Sequence, residues 1–220
     1  MIIERMKELE PAIEDLRDRF VRYGSDSDLL MHPFNLISEI SEWKYSTADN
    51  FDPEPYHNEV SGMKSGRIIK RKYDSPFSAK LKGQYSSGFI DGQLVLTIHP
   101  SEIDSSLSVS YFMAQGGVKY RLAILYRLRD ETVSSCRLRS IQSCLNIDAS
   151  CQVFILKGES DEVSISAYES HKGLLVKAYV WSSRWPVESV RHLHYCGSEL
   201  SMITGPSKGG GEIEIWRKPV

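Results

Sequence analysis

The sequence predicts an α+β protein that is mainly β, an antiparallel β-sandwich of jelly-roll-like type or a barrel, preceded by an acidic helical N-terminal segment. Three observations carry this. After residue 66, apolar and polar residues alternate over many short runs, the period of half-buried strands. The links between those runs are short and rich in turn residues, which makes successive strands antiparallel because a parallel pair needs a crossover. The front of the chain instead carries an apolar stripe at helical spacing. Residues 1–44 are therefore assigned to a helical segment, 45–66 to a linker or long loop, and 67–220 to the β domain.

The front helix is read from Ile2, Met6, Leu9, Ile13, Leu16, Phe20 and Tyr23, which follow one another at spacings of 4, 3, 4, 3, 4 and 3, an a/d heptad stripe. Asp15/Arg19 and Asp18/Arg22 are favourable pairs four residues apart, whereas Glu10/Glu14 is not. Pro11 either kinks the helix or begins a new one, and Gly24 is a stop. A second helix is expected over 33–44, with Ile37, Ile40 and Trp43 on one side. Residues 45–66 show no period and contain Pro53, Pro55, Gly62 and Gly66, so they read as a loop.

Strands are expected at 66–73, 78–89, 93–99, 107–113, 119–129, 133–141, 151–157, 163–168, 174–181 and 212–217. The clearest is 119–129, in which Tyr120, Leu122, Ile124, Tyr126 and Leu128 face one way. Asp91-Gly92 is a type I′ turn signal, and Gly116-Gly117, Asp130-Glu131-Thr132 and residues 158–161 and 169–173 are further turns. A helical interruption is expected over 185–196, with Pro186 near its start and Gly197 past its end. Many antiparallel strands, each with one apolar face, must pack on one another or close.

Composition limits the function classes. In 220 residues, 27 Lys and Arg against 29 Asp and Glu leave a formal charge of −2, which excludes a globally basic nucleic-acid coat. The distribution is uneven. Residues 1–60 hold 6 Lys and Arg against 14 Asp and Glu, and residues 61–220 hold 21 against 15. No apolar run approaches the ~18 residues of a membrane helix, and the first residues lack the apolar core of a signal peptide. Cys136, Cys144, Cys151 and Cys196 form no CxxC pair. Together these features predict a cytoplasmic chain with reduced thiols.

Two basic clusters are the candidate binding surfaces. Arg121, Arg127 and Arg129 alternate on one strand, and Arg137 and Arg139 on the next, so a hairpin would gather guanidinium groups on one face. Lys70, Lys72, Lys80 and Lys82 form the second cluster, interleaved with Tyr73, Phe77 and Tyr85. The acidic front is their natural counterpart, with Met6, Leu9, Ile13, Leu16 and Phe20 as an assembly stripe. The predicted function is a non-enzymatic assembly or interaction protein, a structural subunit or adaptor of the kind jelly-roll viral or phage components supply, with itself or another protein subunit as partner. The alternative is an RNA- or single-stranded-DNA-binding module using the same basic residues.

Catalytic motifs are few. A small hydrolase or nuclease could use His99 or the His192/His194 pair, which would share a face only on a strand. No HExxH, EF-hand, GxSxG or GxxxxGK[ST] pattern occurs, and neither a metal nor a cofactor is expected. The stretch from Gly205 to Gly211 is glycine-rich without the spacing of a phosphate loop, and reads as a hairpin connection. Trp181 and Trp185 could form a ligand-stacking patch.

Overall fold

The front stripe does form a helix. In a computed structural model that describes residues 1–103, 105–130 and 132–219, α1 runs from Met6 to Gly24 and passes through Pro11 without a break. It buries Leu9, Ile13, Leu16 and Tyr23, while Arg19 pairs with Asp15 at 2.6 Å. Asp26 caps α2 (Ser27–Leu36) by accepting the Leu29 N–H at 2.9 Å. This cap starts the second helix earlier than residue 33, and a 3-10 turn at Ile37–Glu39 ends it. The remainder of the expected helix is strand β1 (Glu42–Ser46).

Twelve further strands follow: β2 (Ile68–Ile69), β3 (Tyr85–Ile90), β4 (Gln93–Ile98), β5 (Ser106–Gln115), β6 (Val118–Arg129), β7 (Thr132–Asp148), β8 (Cys151–Gly158), β9 (Val163–His171), β10 (Leu174–Ser182), β11 (Trp185–Cys196), β12 (Glu199–Pro206) and β13 (Glu212–Arg217). Two short helices, α3 (His57–Val60) and α4 (Pro76–Lys80), complete the elements. The strands form one sheet in the order β13-β12-β11-β10-β9-β8-β7-β6-β5-β4-β3-β1-β2, and every pair is antiparallel. A sandwich needs a second sheet and a barrel needs paired ends. Here one sheet forms, and β13 and β2 are its two unpaired edges. No helix among the described residues is long and apolar enough to cross a membrane.

Three expected elements differ, each for a local reason. Residues 185–196 are strand β11. Pro186 is tolerated because it lies beside a register shift near the strand start, and Ser189, Arg191 and Leu193 then alternate with Val190, His192 and His194. Residues 78–89 divide into α4 and β3, because Ser75 makes a capping box with Ser78 and Pro76 sits at the first helical turn. The run at 66–73 pairs only at Ile68 and Ile69. Turn chemistry matches the sequence at Asp91-Gly92 (φ 50° and 75°) and Gly116-Gly117 (φ 60° and 81°), where both central residues are left-handed as type I′ requires. Glu131, in the Asp130-Glu131-Thr132 turn, lies outside the described residues.

Each face of the sheet is covered differently. On the first, Leu96, Ile98, Leu107, Leu122, Ile124 and Ile155 are fully buried beneath Leu9, Leu16 and Leu30 of the two long helices. The Tyr126 hydroxyl, also fully buried, donates to the Leu30 carbonyl at 2.6 Å and ties α2 to the sheet. On the second face, Phe154, Tyr168, Leu193, Ile203 and Trp216 cluster with Val60 of α3. This places the 45–66 segment on the sheet as a cover. Replacing Leu16 with Ala removes a side chain that is 1% exposed from the helix–sheet seam. Urea denaturation should show a loss of roughly 2–5 kcal/mol, and an unchanged midpoint would mean that α1 is not part of the cooperative core.

Candidate functional site

Strands β6 and β7 pair with Leu125 opposite Arg137 and Arg127 opposite Ser135. Arg127, Arg129 and Arg137 therefore share the face opposite Tyr126. Arg137 Nε lies 2.5 Å and Arg139 Nη1 3.2 Å from the two oxygens of Glu159, so one carboxylate serves both. Arg127 is exposed, and Arg129 is 85% exposed with its Nε 4.0 Å from Asp130. Among the described residues, Glu159 and Asp130 are the ion-pair partners of these four guanidinium groups. The four expected basic residues at the end of this hairpin are thus brought together at the surface.

The rest of the expected basic set divides. Lys70, Lys72 and Lys82 are exposed, and Lys82 Nζ lies 5.7 Å from the Tyr73 ring, which Arg71 also approaches. Lys80 is not at the surface. It is 1% exposed, and its ammonium donates to the carbonyls of Ile103 at 3.1 Å and Ser106 at 2.8 Å. Arg121 is largely buried and ion-paired with Asp52. Of the assembly stripe, Leu9, Ile13 and Leu16 are buried against the chain's own sheet, and Met6 and Phe20 pack on the same core. What α1 presents outward is a mixed charged side with an acidic excess: Glu8, Glu10, Glu14, Asp15 and Asp18 against Lys7, Arg17 and Arg22, with Glu14 paired to Arg17 at 2.5 Å.

His192 and His194 share a strand face, as a helix would not allow. His194 Nε2 is 2.9 Å from Thr204 Oγ1, which donates to Glu212 at 2.9 Å, and His192 Nε2 is 3.6 Å from the same carboxylate. His99 Nε2 is 2.8 Å from Ser110 Oγ. Burial, aided by the Arg121 charge, pushes His99 down to about 4, so it is neutral at pH 7. No group of three His, Cys, Asp or Glu side chains among the described residues is arranged to hold a metal ion.

The polar centre of the molecule involves residues the sequence reading passed over. On the second face, Arg121 of β6, Gln142 of β7 and Tyr168 of β9 rise to meet the segment Asp52-Pro53-Glu54-Pro55. Pro53 and Pro55 supply no N–H; Asp52 Oδ1 accepts the Glu54 N–H at 2.8 Å, and the further donors to the two carboxylates are side chains. Glu54, 4% exposed, accepts from Gln142 Nε2 at 2.8 Å and from the Tyr168 hydroxyl at 2.9 Å, and His57 Nδ1 lies 3.4 Å away. Burial alone would raise Glu54, but the His57 hydrogen bond and charge, with Gln142, outweigh it and hold the carboxyl at about 2. The Glu54 hydrogen bond raises His57 in turn, against its own desolvation. Next to this pair Asp49 is 9% exposed, and its Oδ1 has no hydrogen-bond partner among the described residues. Burial, then the Asp52 charge, push Asp49 up to about 7. Tyr56, which leads into α3, has φ 53°, an uncommon conformation for a bulky residue.

A scan against protein-family models matched none, and searches of curated proteins and of solved structures returned no significant match.

Asp49 makes stability depend on pH in a definite direction. Its folded-state value lies above the ordinary 3.8, so between 3.8 and about 7 the unfolded chain gives up a proton that the folded chain keeps. Stability therefore declines through that window as pH rises. Asp49→Asn should match the parent at pH 4 and exceed it by at least about 1 kcal/mol at pH 8 in paired denaturation curves. Equal stability at both pH values would mean that Asp49 titrates normally.

Proposed function

We propose that the protein is a non-enzymatic interaction protein that associates with further copies of itself, the basic end of β6–β7 on one copy meeting the acidic outer side of α1 on the next. The observation that carries this reading is the gathering of Arg127, Arg129, Arg137 and Arg139 at one exposed hairpin end, against Glu159 and Asp130. Like charges held side by side repel, and an anionic partner relieves that repulsion. The acidic side of α1 supplies such a partner, since its apolar side is occupied by the sheet. A heterologous contact of this kind makes rings or open arrays rather than a closed dimer. A nucleic-acid strand is the second anionic candidate, but the face of the hairpin that bears Arg127, Arg129 and Arg137 has no aromatic side chain from β6 for base stacking.

Light scattering across a size-exclusion peak, with absorbance at 260 and 280 nm, tests the proposal. A mass above 25.0 kDa that falls as salt rises is the expected result. The double reversal Arg127→Glu/Arg129→Glu should give a monomer, and Glu14→Lys/Asp18→Lys in the same chain should restore association. A monomer at low salt would overturn the proposal. So would a 260 nm excess that salt removes, which would assign the hairpin to nucleic acid.

A further inference from the structure

The covering segment encloses more than a structural ion pair. Between it and the β9–β10 turn lies a cavity of about 490 Å³, within the size range of small-molecule sites. Asp49, Asp52, Glu54 and Glu59 line it, with His57 and the hydroxyl-bearing side chain of Tyr195, and neither lysine nor arginine does so among the described residues. Asp52 and Glu54 are already committed, to Arg121 and to His57, Gln142 and Tyr168. Asp49 is not: nine-tenths of it is buried, it lines the cavity, and its Oδ1 accepts nothing among the described residues. A buried carboxylate oxygen left without a donor is costly; Oδ1 itself is sealed from solvent, so a cationic ligand at the cavity wall acts on the Asp49 carboxylate by its charge as well as by hydrogen bonding. Leu174 and Leu175 give the cavity an apolar wall.

The geometry points to this cavity as a binding site for an organic amine, whose ammonium group donates to Asp49 and whose carbon chain lies along Leu174 and Leu175. A metal ion fits less well, because the carboxylates do not converge as a ligand set among the described residues. This site is separate from the basic hairpin and does not depend on self-association.

Binding carries a proton signature. The charged groups facing Asp49 are Asp52, Arg121 and His57, and Tyr85 feels its charge. Below about 7 the Asp49 carboxyl is protonated, so an arriving ammonium ion displaces that proton to the buffer and leaves a carboxylate–ammonium pair.

Calorimetry on the full chain tests this, with spermidine and the monoamine phenethylamine as probes, at pH 6 and pH 8 and in two buffers of different protonation enthalpy. The expected result is one site, bound about tenfold more tightly at pH 8, with proton release at pH 6. Asp49→Asn should weaken binding at least about tenfold and abolish the release. Leu175→Trp, which fills the cavity without changing charge, should also remove binding. No heat with either amine overturns the proposal. Binding that survives both variants would place the amine outside this cavity, and binding that Glu8→Gln/Glu14→Gln removes instead would place it on the surface of α1; either overturns the proposal as well. A pH dependence that persists in Asp49→Asn would belong to His57 and overturn the assignment to Asp49.

Discussion

An antiparallel sheet that does not close on itself has two faces to cover, and this requirement governs the structure. The helical front provides an apolar cover on one side, where Leu9, Ile13 and Leu16 lie on a floor of Leu, Ile and Val from the central strands. Most of the hydrophobic stabilisation lies here, because these side chains leave water almost completely. The other side is covered by a segment too short and too polar to do the same. It succeeds by combining a small apolar cluster around Phe154, Ile203 and Trp216 with a set of paired charges.

Those charges act mainly as locators. Taking Asp52 and Arg121 out of water costs energy that their attraction only partly returns, but a buried carboxylate tolerates very few positions. Glu54 meets Gln142, Tyr168 and His57 at once, and a shift of the segment by one residue would leave all of them unpaired. The same reasoning applies to Lys80, which fixes α4 against the carbonyls of Ile103 and Ser106. Polar contacts thus set position where apolar contacts would allow sliding.

What could be read from the sequence follows this division. The stripe from Met6 to Tyr23 and the alternation in β6 announced both the helix and the faces of the sheet, because burial on one side leaves a period. The type I′ turn at Asp91-Gly92 was equally plain. The extent of β7 was not: the strand was expected only over 133–141, yet Gln142 faces Arg121 across the ladder and bonds Glu54. Strand β11 read as helix because Pro186 and Gly197 imitate helix ends. The single sheet was hidden because alternation reports that a face is buried without reporting what covers it. Of the candidate basic residues, the hairpin arginines were legible, whereas the fates of Arg121 and Lys80 depended on acceptors far away in the chain. Asp49, Glu54 and His57 left no local signal, since acids in an aperiodic, proline-bearing stretch look the same whether solvated or buried.

The order of the strands has a consequence for assembly of the fold. From β4 to β13 each strand pairs with the one before it, so the sheet can grow hairpin by hairpin with short loop closures. The covers of the two faces are the exceptions, α1 first among them, because its docking surface lies on β7 and β8, more than a hundred residues further along the chain. As the chain leaves the ribosome, the helix and its apolar stripe are made long before anything exists to cover them. Its charged outer side, where Glu14 and Asp15 pair with Arg17 and Arg19 within the helix, then has a second value, keeping an orphaned amphipathic helix hydrated until its sheet arrives.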